Sequence, residues 1–164
     1  IRDVLGSRGL GDVYKRQDFN TVFLAFHSAQ HYALGFAMHH LCDWACLLKK
    51  QGLKIPEGVT DERFLNMIYA LTHLCNRYLG TEVLVMKGGE ELAENLLKEM
   101  LHPTYNINVP ATGKWGILVY KLKRMLHIHR LCDSVMRVSL VKWLWISVIQ
   151  HVRFPQSIFR RTVS

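Results

Sequence analysis

The chain has 164 residues, 49% of them hydrophobic and 21% charged, and a formal net charge of +8 at pH 7. This length is sufficient for one domain with a buried core. The sequence has no internal repeat and no low-complexity tract, which excludes repeat architectures and low-complexity chains. The hydrophobic content is slightly high for a soluble domain and predicts that part of the surface packs against another domain.

Residues 1–17, IRDVLGSRGLGDVYKRQ, have neither a helical period nor the alternation of a strand. The first residue is Ile1 rather than Met, and the segment looks like translated sequencing-adapter sequence. We therefore interpret residues 1–17 as non-native and assign the domain to residues 18–164. A natural N-terminus that is disordered or weakly helical is the alternative.

The next stretch predicts two helices, over about Asp18–Leu34 and Ala37–Gln51, with Gly35 free to adopt positive φ between them. The first helix has the helical spacing of Phe23, Phe26, His27 and Gln30. The second helix is expected to turn one face inward, consisting of Met38, Leu41, Cys42, Ala45 and Leu48.

The rest of the chain is also predicted to be helical. Thr60 is the expected cap of a helix that ends before Gly80. Further helices are predicted over residues 61–79, 90–102, 114–131 and 133–152. The predicted fold is therefore all-α, a single irregular helical bundle of about six helices.

Two motifs in the first helix pair resemble a known family. HSAQHY begins at His27, and HHLCDWACLLKK begins at His39 after a short glycine-containing turn. They are similar to an "HxxxHF" helix and a "GIGLRQLCDWALLL" segment in the C-terminal half of uncharacterised bacterial nucleotidyltransferases, often found among cell-surface polysaccharide genes. The turn is shorter here, and the arginine of that family falls on His39. The matching positions are His27, His31, Tyr32, Leu41, Cys42, Asp43, Trp44, Ala45, Leu47 and Leu48.

The resemblance implies that residues 18–164 are the helical C-terminal domain of a larger protein. In that family, Mg²⁺ and a nucleoside triphosphate are bound by carboxylates of an N-terminal α/β domain. This chain has no Asp-x-Asp pair, so we predict no catalytic residue and no cofactor within it. The expected partners are its own N-terminal catalytic domain and a nucleotide. The candidate substrate-binding residues are His27, His31, His39, Asp43 and Lys114.

His27 and His31 have the i, i+4 spacing at which two imidazoles can share a metal ion. No Glu follows His27, so the zinc-protease pattern fails, and we favour a structural pair without metal. Asp43 lies beside the expected inward face and is expected to have a fixed donor, since a buried unpaired carboxylate is costly. Asp43→Ala is therefore predicted to destabilise the chain more than Asp61→Ala. Alternatively, Asp43 points into a cleft toward the catalytic domain.

Residues 114–164 carry ten Lys and Arg against a single acid, Asp133. This basic end is either a solvated or partner-facing helix face or, in the alternative function, part of a non-enzymatic module that binds nucleic acid, a partner protein or an anionic membrane surface. The uncharged run Trp143–Gln150 is far too short to span a bilayer. The four cysteines form no CxxC pair, which predicts free buried thiols and a cytoplasmic location.

Overall fold

A computed structural model describes residues 10–85, 87–105, 113–137 and 139–154, and within these ranges all regular structure is helical. The all-α bundle is therefore confirmed. Residues 1–9 lie outside the described residues, whereas residues 10–17 belong to the first helix, which begins earlier than predicted. The helices are α1 (Leu10–Gly35), α2 (Met38–Gln51), α3 (Glu62–Leu79), α4 (Glu90–Leu101), α5 (Gly113–Val135) and α6 (Leu140–Arg153).

Helix α3 is the centre of the bundle and packs against α1, α2, α4 and α5. Its buried face meets the fully buried Trp44 of α2, whose indole Nε1–H donates to Thr72 Oγ1 over 3.1 Å. The Thr72 hydroxyl donates in turn to the Ile68 carbonyl over 2.8 Å. The core around this pair includes Leu41, Leu48, Met67, Ile68, Leu71, Leu74, Cys75 and Leu96.

Helix α1 buries mainly small side chains and Tyr32, and its phenylalanines lie outside the core. Phe19, Phe23 and Phe26 are exposed. Phe23 and Phe26, whose helical spacing predicts this helix, therefore do not face the core. The small residues bring α1 close to α2 and α3, which the larger rings could not do without overpacking. Among the α1 side chains that the structure describes, the buried ones are Thr21, Ala25, Ser28, Ala29 and Tyr32.

Helix α2 is rotated about its axis relative to the prediction. Leu41, Ala45 and Leu48 are buried as expected, but Met38 and Cys42 are exposed. Trp44 lies at the centre of the buried face, because burying its large ring against α3 outweighs burying Met38 and Cys42. Cys46 is exposed as well, so the prediction that all four thiols are buried is wrong for Cys42 and Cys46.

Several helix ends depart from the prediction for local reasons. Asp61, not Thr60, caps α3: its Oδ1 accepts from the backbone N–H groups of Arg63 at 2.9 Å and Phe64 at 3.2 Å. Gly80 ends α3 in the left-handed conformation, as predicted. Helix α5 continues to Val135, since that side chain is fully buried in the core.

Helix α6 packs less on the rest of the bundle than any other described helix. Its exposed residues include an apolar stripe at helical spacing, in which Val141 is 76%, Trp145 65%, Val148 53% and Val152 75% exposed. Among the described helices, α6 included, none has both the length and the apolar character needed to cross a membrane.

Candidate functional site

Three histidines meet where α1 and α2 pack together. His27 and His31 are one turn apart on α1, and His40 approaches them from the first turn of α2. One ring nitrogen from each of the three lies within 4.8 Å of the other two. The ring centroids of His31 are 4.5 Å from those of both His27 and His40. We call these three residues the histidine cluster.

The turn between the helices creates the cluster. Gly35 has a φ of +129°, a conformation that favours glycine, and it ends α1. Ala37, the residue immediately before α2, is in an extended conformation. The chain therefore folds back sharply enough for the first turn of α2 to face the last turns of α1.

His40 is the buried member of the cluster. Its Nδ1 lies 3.1 Å from both the backbone N and the carbonyl O of Ala37, so it accepts from one or donates to the other, depending on its tautomer. Its Nε2 is buried and has no hydrogen-bond partner among the described residues. An orphaned buried nitrogen of this kind is costly and calls for an explanation.

The surroundings lower the pKa of two members of the cluster, His31 and His40. Burial lowers the pKa of His31, and the neighbouring His27 and His39 lower it further. Burial is also the largest cause that lowers the pKa of His40, which the hydrogen bond to Ala37 opposes in part. With pKa values below the ordinary one, both imidazoles are uncharged at neutral pH and present lone pairs rather than positive charge.

The other three predicted site residues are exposed and lie outside the histidine cluster. His39 is exposed at the edge of the cluster, with its ring centroid 3.9 Å from that of His40. Asp43 is exposed, and no hydrogen bond or ion pair within the described residues holds it, so the predicted fixed donor is not found. Lys114 is exposed in the first turn of α5. Neither Asp43 nor Lys114 belongs to the cluster.

His40 was not among the predicted site residues. The sequence signal that could have indicated it is the spacing from Trp44. Because residues four apart share a helix face, a histidine one turn before the most deeply buried residue of α2 also points inward. Sequence reasoning instead placed the inward face along Met38 and Cys42.

The exposure of Asp43 reverses the predicted ranking of two carboxylates. We expect Asp43→Ala to change the free energy of unfolding by no more than about 0.5 kcal/mol, because an unpaired surface carboxylate contributes little. We expect Asp61→Ala to cost about 1 kcal/mol, because it removes the N-cap of α3. Urea unfolding of both variants and the parent measures the difference. A larger loss for Asp43→Ala would show that Asp43 has a partner beyond the described contacts.

Comparisons of this chain with protein-family models, with curated proteins and with solved structures found no match. The likeness to nucleotidyltransferases therefore stays a prediction that rests on the motifs between His27 and Leu48.

Proposed function

We propose that this chain is the helical C-terminal part of a nucleotidyltransferase-family protein. In this proposal it packs against the N-terminal catalytic domain and helps to form the nucleotide and acceptor cleft. The catalytic domain would supply the carboxylates, Mg²⁺ and the nucleoside triphosphate site, since this chain has no Asp-x-Asp pair. The free cysteines, two of them exposed, agree with a reducing cytoplasm.

The exposed apolar stripe of α6 carries the proposal. Covering such a stripe with a partner removes apolar surface from water. Contiguous exposed apolar surface therefore typically marks an interaction site. Helix α5 exposes a similar stripe of side chains at helical spacing. Its members are Trp115, Leu118, Val119, Leu122 and Leu126.

The charge pattern supports a protein partner with an acidic surface. Lys and Arg greatly outnumber acids from residue 114 onward, and exposed Lys123 and Arg130 share α5 with its apolar stripe. A central apolar area with a polar, charged rim is the usual anatomy of a protein interface. The same combination also suits an anionic membrane surface, so the test includes that outcome.

The test begins with the coding sequence that precedes residue 18 in its genome. We expect it to encode a Lys-Gly or Gly-Ser turn followed by Asp-x-Asp. That upstream domain, produced separately, should bind the chain. We expect Val148→Glu to weaken this binding by about 2 kcal/mol or more, roughly 30-fold, as charge in an apolar interface does. Isothermal titration calorimetry measures the loss.

Asn95→Glu is the matched control, because it adds the same carboxylate at an exposed polar position of α4. Both variants should unfold within about 0.5 kcal/mol of the parent, since neither side chain is buried. Equal binding by Val148→Glu and Asn95→Glu would remove the docking role of α6. Binding to vesicles of anionic lipid that Val148→Glu abolishes, with no binding to the upstream domain, would favour the membrane alternative.

A further inference from the structure

We propose that His27, His31 and His40 together bind one Zn²⁺ ion, with a fourth coordination position left for water or another ligand. Three imidazoles are a known zinc ligand set when one position stays open. The sequence predicted no metal in this chain, so the site is an addition to the proposed function and does not depend on it.

The spacing of the three residues fits a single ion. In a tetrahedral site with Zn–N bonds of about 2.0–2.1 Å, two ligand nitrogens lie about 3.3 Å apart. The cluster holds its nitrogens within 4.8 Å of one another, so modest rotations of the partly exposed His27 and His31 side chains can bring them to bonding distance. The i, i+4 pair on α1 supplies two ligands, and α2 supplies the third.

His40 has the features of a prepared ligand. When its Nδ1–H donates to the Ala37 carbonyl, over 3.1 Å, its Nε2 carries a lone pair. A second-shell hydrogen bond to a backbone carbonyl orients metal-bound histidines in the same way. A metal ion would therefore satisfy the buried Nε2, which has no other partner among the described residues.

A purely structural role explains the cluster less well. Within the described residues, no ring nitrogen of His27 or His31 makes a hydrogen bond, and the exposed Asp43 is not part of the cluster. The three rings contact one another and Phe23 and Phe36 instead. His27 and His31 are partly open to solvent, which leaves a metal ion a path of entry to the cluster.

Cobalt(II) titration of the complete chain tests the site, with Co²⁺ as the spectroscopic substitute for Zn²⁺. The protein is purified without a histidine tag and kept in a non-thiol reductant. We expect one equivalent of Co²⁺ to give the intense d–d absorption of four-coordinate cobalt, and Zn²⁺ to displace it. His27→Gln and His31→Gln should each weaken binding at least about 100-fold, because even outer-shell partners are worth 10–100-fold.

Two controls separate the cluster from other donors. His102→Gln removes an exposed histidine outside the cluster and should bind like the parent. Cys42→Ser/Cys46→Ser removes the two exposed thiols and should also bind like the parent. His40 is left unchanged in these variants because its ring also bonds to the start of α2.

Circular dichroism first establishes that each variant is folded like the parent. The absence of a four-coordinate cobalt spectrum from the folded parent would overturn the proposal. So would a spectrum that persists in both His27→Gln and His31→Gln, or one that disappears in Cys42→Ser/Cys46→Ser.

Discussion

Trp44→Ala is expected to cost about 3–5 kcal/mol of unfolding free energy, the range found when a buried tryptophan is truncated. The side chain is fully buried between α2 and α3, so the substitution leaves a large cavity at the centre of the bundle. It also removes the partner of Thr72, whose hydroxyl accepts from the indole N–H. A loss of this size is a large part of the stability of a typical domain, and urea unfolding followed by circular dichroism measures it.

A double-mutant cycle separates the hydrogen bond from the packing. Thr72→Val keeps the volume but leaves the buried indole N–H without an acceptor, and we expect a cost of about 1–3 kcal/mol. Trp44→Phe is the other single variant, and it removes the donor while it keeps most of the buried ring. Trp44→Phe/Thr72→Val removes both partners, so its cost should be smaller than the sum of the costs of Trp44→Phe and Thr72→Val. Additive costs would show that Trp44 and Thr72 do not interact in solution.

Gly89→Ala is expected to cost about 2–6 kcal/mol, because crowding and backbone strain each contribute about 1–3 kcal/mol. A Cβ atom at this position would lie 2.7 Å from the backbone N of Ala70 and 2.9 Å from the carbonyl O of Asn66. Gly89 also has a φ of +83°, which L side chains rarely adopt. It is the residue at which α4 begins against the backbone of α3, so relief of the clash requires the two helices to move apart.

Alanine substitution at two other glycines separates the cost of crowding from the cost of backbone strain. Gly80 has a φ of +60° but open space around it, so Gly80→Ala should cost only about 1 kcal/mol for the left-handed conformation. Gly58→Ala meets no atom within 4 Å and carries no such φ, so its effect should be close to zero. Thermal and urea unfolding of the three variants rank them by their loss of stability. Equal losses for Gly89→Ala and Gly80→Ala would mean that α3 and α4 do not approach so closely.

The sequence by itself determined which segments are helical and several of the points at which they end. Apolar residues recur at helical spacing throughout, and Gly35 and Gly80 lie at helix ends because positive φ is open to glycine. The all-α class follows from those local properties, since spacing and turn chemistry act within a few residues. The end of α5 escaped prediction because a distant contact, the burial of Val135, extends the helix.

Only the tertiary structure decided which face of each helix is buried. Helix α1 carries apolar residues on several sides, so its period is ambiguous, and close packing on its neighbours selected Ala25 and Ala29 over Phe23 and Phe26. The burial of Trp44 likewise fixed the rotation of α2, which turned Asp43 outward and His40 inward. The pairing of His27 with His31 is visible in the sequence because they share one helix. The third histidine joins them only when two helices pack, since a contact between helices depends on their rotation and not on local spacing.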